Sequence, residues 1–165
     1  SVLGEPMMSN VVSGHFMGQQ FTLCGTYSDR LFKTVMRVDL PNAYPHIVLD
    51  AKQNDRVVSS LLQFFPDSKE IVLEGDFPNY FRVFSATNPT ETLQILSPEL
   101  MGRMIDYTHR ADIEIVNNQL LLICNFKQAE KATVMMLFEA VEQILKDIGV
   151  GTANSRAQFH AAPRI

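Results

Sequence analysis

Apolar residues recur along almost the whole chain, and their spacing changes character from front to back. Residues 11–24 place two short β-type runs on either side of Gly18, whose freedom at positive φ suits a tight turn. Residues 31–40 alternate: Thr34, Met36 and Val38 fall on one side, Val35 and Arg37 on the other, the period-two pattern of a half-buried strand. Pro41 and Pro45 then bracket an expected loop, followed by a short fourth strand over 46–49. Val57, Val58, Leu61, Leu62 and Phe65 return at helical spacing, behind the capping residues Asn54 and Asp55 and ahead of Pro66.

The second half mixes both periods. Residues 70–84 read as two strands around a turn-rich stretch at 75–79. Asn88, Pro89 and Glu91 form a capping-box-like helix start, and Ser97, Pro98 and Glu99 restart a helix running to about Tyr107, with Leu100, Met101, Met104 and Ile105 on its apolar face. Residues 113–116 and 119–125 read as a hairpin turning at Asn117 and Asn118, because Asn tolerates the left-handed conformation. The clearest helix carries Val134, Leu137, Phe138, Val141, Ile144, Leu145 and Ile148, with Gly149 as its stop. Its polar face lacks the Lys and Arg density of a membrane-surface helix.

Strand runs first and the surest helices late describe an α+β domain: an antiparallel sheet of several strands, helices packed mainly on one face, and a long C-terminal helix across the sheet. Residues 1–10 read as a lead-in, 11–151 as a single domain, and 152–165 as a mobile tail with Phe159 as its one anchor.

Composition narrows the function classes. The chain has 165 residues, 46% of them hydrophobic, and folding at this length buries about 70% of the unfolded surface. A core therefore needs neither metal nor disulfide. Eighteen acidic against 14 basic residues, with the basic ones scattered, argue against nucleic acid, whose phosphates need a concentrated basic field. No apolar run approaches the ~20 residues that span a bilayer, and no basic-then-apolar leader is present. Cys24 and Cys124 have apolar neighbours and read as small buried hydrophobes, which could pair only if adjacent strands carried them. C-x-x-C, zinc-ligand spacing, G-x-G-x-x-G and phosphate-loop patterns are all missing, so neither a metal nor a cofactor is expected.

Candidate chemistry is sparse. His46 starts a strand beside Pro45, and Asp50, four residues on, falls on the same strand face. That pair could act as a general base with its orienting carboxylate; the plainer reading is a histidine that fixes a turn. Glu74 and Asp76 flank Gly75 and could bind a metal or serve as an acid–base pair, though calcium-loop spacing is absent, with Asp76 the second partner for His46; the plainer reading has Asp76 capping backbone amides while Phe77 and Phe81 anchor the loop. Tyr44, His46, Met135 and Met136 are the residues to inspect for ligand binding, since at least one of the adjacent methionines must leave the apolar stripe.

Several short segments add a resemblance. Gly14 to Phe21, Val38 to Pro41, Pro45 and His46 with Leu49, Leu73 to Phe77, Phe81 with Val83, and Leu96 to Leu100 resemble, in that order, an uncharacterised bacterial family of small membrane-anchored proteins with one soluble domain of unknown function. The resemblance implies tethering to the cytoplasmic membrane through segments absent from this chain. It supplies no catalytic residues.

Three readings follow. The first is a non-enzymatic interaction or sensing domain with a protein partner. The second is a small apolar-ligand-binding domain with a pocket between sheet and final helix. The third is a hydrolase-like enzyme using His46 with a nearby Asp. A homodimer through exposed strand edges is also conceivable, with Lys33 or Arg37 placed to prevent it.

Overall fold

The computed structural model describes residues 7–28, 31–54, 67–86, 88–108, 110–125, 131–150 and 158–161. Strands β1 (Met7–Phe16) and β2 (Gln19–Ser28) form the first hairpin. Its two-residue turn holds Met17 at φ 50° and Gly18 at φ 78°, the doubly left-handed geometry that matches strand twist. Met17 accepts this conformation with its side chain buried in the core.

Strand β3 (Leu31–Ala51) runs for 21 residues. Its first half pairs with β2, and Thr34, Met36 and Val38 are buried as the alternation requires. The loop expected between Pro41 and Pro45, and the separate strand after it, are instead one continuous bent strand. Both prolines fall in the region where the register against β6 (Asp112–Cys124) slips, from Asp39 to Tyr44 and again to Ile47, so neither has to supply a regular ladder N–H.

The hairpin expected at Asn117 is corrected in the same way. Asn117 does take the left-handed conformation, at φ 54°, but there it marks a bulge. Residues 113–117 pair with 44–49 of β3, and 119–124 pair with 34–39. A left-handed Asn serves a turn or a bulge equally well, and the long partner strand decides which. Lys33 and Arg37 consequently lie on a central strand, away from the sheet's edges.

An extended strand of 21 residues would span about 70 Å. Yet Asn54, three residues past β3, donates from Nδ2 to the carbonyl of Ile123 at 2.9 Å, and Ile123 is the register partner of Val35 near the start of β3. The β3–β6 ribbon therefore curls back on itself. Asn54 Oδ1 also accepts the Asn125 N–H at 3.0 Å, which ties the two ends together.

Strand β4 (Lys69–Ile71) pairs with β5 (Phe81–Ser85), and β5 with the second half of β3. Between them, 77–80 closes one helical turn, α1 (Phe77–Tyr80), inside the stretch expected to be a turn. Helix α2 (Pro89–Ile95) starts as its cap predicts, Asn88 Oδ1 accepting the Thr90 N–H at 3.0 Å. Helix α3 (Pro98–Thr108) starts with Ser97 Oγ accepting from Leu100. Helix α4 (Lys131–Asp147) stops at Gly149, φ 80°, where Val150 N–H donates to Leu145 O at 2.7 Å and Gly149 N–H to Lys146 O, the two hydrogen bonds of a Schellman cap. Residues 158–161, inside the stretch read as a tail, form β7 (Gln158–Ala161), which pairs antiparallel with β1. The helix expected over 54–65 lies almost wholly outside the described residues.

Among the described residues, seven strands make one antiparallel sheet in the order β4-β5-β3-β2-β1-β7, with β6 on the other side of β3. A single apolar cluster joins Met36, Ile47, Leu49, Ile113, Ile115 and Leu122 of the ribbon to Leu100 and Met104 of α3 and Leu137, Val141, Ile144 and Leu145 of α4. Phe138 of α4 meets Phe16 and Phe21 edge-on, with ring centroids 5.0 and 5.1 Å apart. This is the α+β arrangement that the strand-then-helix order predicts.

Candidate functional site

Along β3, Ile47 and Leu49 enter the core, which turns His46, Val48 and Asp50 to the opposite face. The register sets Phe84 and Glu114 on either side of Val48, and Arg82 across from Asp50. A histidine–carboxylate contact and an arginine–aspartate ion pair result. His46 Nε2 lies 2.6 Å from Glu114 Oε1, and Arg82 Nε donates to Asp50 Oδ2 at 2.6 Å, with the guanidinium 5.9 Å from the Phe84 ring centroid.

The histidine's carboxylate is thus Glu114, contributed by β6, and Asp50 belongs to Arg82. Four residues of strand put His46 and Asp50 about 13 Å apart, beyond the reach of one bridging water. Ser85 Oγ donates to the His46 main-chain carbonyl at 3.1 Å. Sequence reasoning missed Glu114 because 68 residues separate it from His46.

A second polar centre sits where the ribbon closes. Asp112 is fully buried; Oδ1 accepts the Ala51 N–H at 2.9 Å, while Oδ2 has no hydrogen-bond partner among the described residues. Burial pushes this carboxyl up to about 7 against the pull of the Ala51 N–H; the charge of Asp50 adds to the rise, and Asn54 and Lys33 oppose it. Nothing local marks Asp112 in the sequence, since an Asp ahead of an apolar run reads as a surface turn.

Both cysteines are free and buried. Strand β3 lies between the strands that carry them, and their register partners, Val35 for Cys24 and Thr34 for Cys124, face opposite sides. Burial raises the Cys24 thiol, opposed by Arg37, and pushes Cys124 up to about 12, with the charge of Asp112 adding to it.

The remaining candidates are dispersed. Glu74 and Asp76 are exposed. Asp76 occupies the cap position of α1 without a side-chain cap bond, which corrects the capping reading; its main-chain carbonyl accepts from Asn79 instead. Phe77 and Phe81 are buried and stacked, centroids 4.9 Å apart, anchoring that loop. Tyr44 is half-buried at the register slip, against the core. Met136 packs on the core, whereas Met135 stands 51% exposed. A small open cleft of about 80 Å³ lies against β4 and β5, lined in part by Lys52, Glu70, Pro78, Arg82 and the almost fully exposed Val72.

Among the described residues, no group of three or more His, Cys, Asp or Glu side chains could hold a metal, and no helix is long and apolar enough to cross a membrane. Neither a family model nor a curated protein matches the sequence. Among solved structures, the fold is similar to that of the mycobacterial trehalose monomycolate transport factor A, TtfA, with a TM-score of 0.66 at 14% identity, covering 93% of this chain and 79% of that one.

Proposed function

We propose that the chain is a non-enzymatic binding domain that acts through a protein partner, as an accessory to transport at a bacterial membrane. The observation that carries this reading is the likeness in fold, over 93% of the chain, to a protein whose name makes it a transport factor. The side-chain pairings support it: His46 is held by Glu114, Asp50 by Arg82, and Asp76 stands on an exposed loop. Tethering at the membrane rests on the resemblance of the six sequence segments to membrane-anchored bacterial proteins.

The test places a photoreactive residue at Met135 or at Val72 of the full chain, irradiates it with membranes of the source organism, and runs native mass spectrometry of the purified chain beside it. A discrete covalent protein adduct, with the purified chain at its bare mass, is the expected result. A small-molecule adduct lost on denaturation, without a protein cross-link, replaces the reading by apolar-ligand binding. Hydrolysis of a model ester that disappears in His46→Ala would replace it by catalysis.

A further inference from the structure

Strand β3 makes its last pairings at Leu49 with Ile113 and at Ala51 with Phe81, so residues 52–54 lie past the end of the ladder. Among the described residues, separate hydrogen bonds hold this turn. Lys52 N–H donates to Tyr80 O at 2.8 Å and Asn54 N–H to Ala51 O at 2.9 Å. The Asn54 side chain is tied to Ile123 and Asn125, and Asn125 Nδ2 donates back to Asn54 O at 3.2 Å. Lys52 and Gln53 are exposed, so the turn can lift without breaking a strand pairing.

Asp112 sits at the root of that turn. Its Oδ1 takes the N–H of Ala51, and its Oδ2, fully buried, has no partner among the described residues. Two charges from β3 act on it: Asp50 opposes its ionisation and Lys33 favours it, while Cys124 of β6 is the other titratable group coupled to it. Asp50 is itself buried and bound to Arg82 of β5. A protonated Asp112 is tolerated there. A carboxylate would place a second negative charge out of water beside Asp50, with the Ala51 N–H and the Asn54 side chain to offset it. Lifting the turn brings water to that charge and leaves the sheet paired. The arrangement also reaches the open cleft against β4 and β5, which is lined by Lys52 of the turn and by Arg82, the partner of Asp50.

We propose that residues 52–54 form a latch operated by the protonation of Asp112: closed while the proton is on, released as it leaves, and carrying Lys52 of the cleft with it. The direction follows from burial, which holds the carboxyl at about 7 in the closed form against an ordinary 3.8. Closure is at full strength below the lower value and weakens as pH rises to the upper one.

Hydrogen exchange of the full chain at pH 5 and at pH 8, each amide corrected for its intrinsic rate, tests it. The opening constants of the Ala51, Lys52, Asn54 and Asn125 amides are expected to rise at least about tenfold between the two. That opening should be insensitive to urea below the unfolding transition, whereas Met36 and Val38, paired on both sides, should exchange only through urea-sensitive opening. Asp112→Asn, which cannot ionise, should flatten the pH dependence at the turn. Turn amides that share the urea dependence of Met36 and Val38 overturn the proposal, because the proton would then act on the whole fold alone. Local opening that is the same at both pH values also overturns it. Should Asp112→Asn fail to fold, these two wild-type readouts decide by themselves.

Discussion

Asp112 couples protonation to folding because its carboxyl is buried, with one oxygen bonded and the other without a partner among the described residues. Its ordinary value of 3.8 is raised to about 7 in the folded chain. Well below pH 3.8 both states hold the proton and the group adds no pH dependence. Between pH 4 and 7 the unfolded chain has released a proton that the native chain keeps, so stability falls as pH rises through that window and levels off above 7; the full effect is about 4 kcal/mol. Asp112→Asn keeps an acceptor for the Ala51 N–H and cannot ionise. Urea midpoints of the variant should match the wild type near pH 4 and exceed it increasingly up to pH 8; parallel pH profiles would show that Asp112 does not titrate there. The same scale shows what sequence could not supply. His46 was visible as a residue worth inspecting, but its partner Glu114 and the burial of Asp112 are set by strands that meet only on folding.

At the scale of elements, Asn54 ties the β3–β6 ribbon where it closes. Its buried amide gives one hydrogen bond to Ile123 and takes one from Asn125, so Asn54→Ala strands a carbonyl and an N–H at the closure. The expected loss is about 2–3 kcal/mol in urea unfolding, with hydrogen exchange accelerated at 123–125 ahead of β2. A loss below about 0.5 kcal/mol would mean that the ribbon holds its curl without this tie. Elements with local signals were legible. Asn88 and Ser97 cap the helices that they were expected to cap, and Gly149 ends α4. The bent strands were not, because Pro41, Pro45 and Asn117 carry the same local signal whether the chain turns around or merely bends.

For the whole molecule, the single core that joins ribbon and helices implies cooperative unfolding, and Cys124 reports on it. With its thiol fully buried and pushed up to about 12, modification by a disulfide reagent at pH 8 should be at least about a thousandfold slower than in 8 M urea, and should follow the circular-dichroism transition. Reaction before that transition would reveal local opening of the curled sheet. The sequence by itself determined the α+β class, the alternating row in the first half of β3 and the faces and ends of the later helices, because apolar period, caps and glycine stops act over a few residues. Only the tertiary structure decided that β3 and β6 are long bent partners, that His46 is paired with Glu114, that Asp112 is buried, and that 158–161 joins the sheet. Each of these depends on which distant strand supplies the neighbouring backbone, and a local pattern carries no record of that choice.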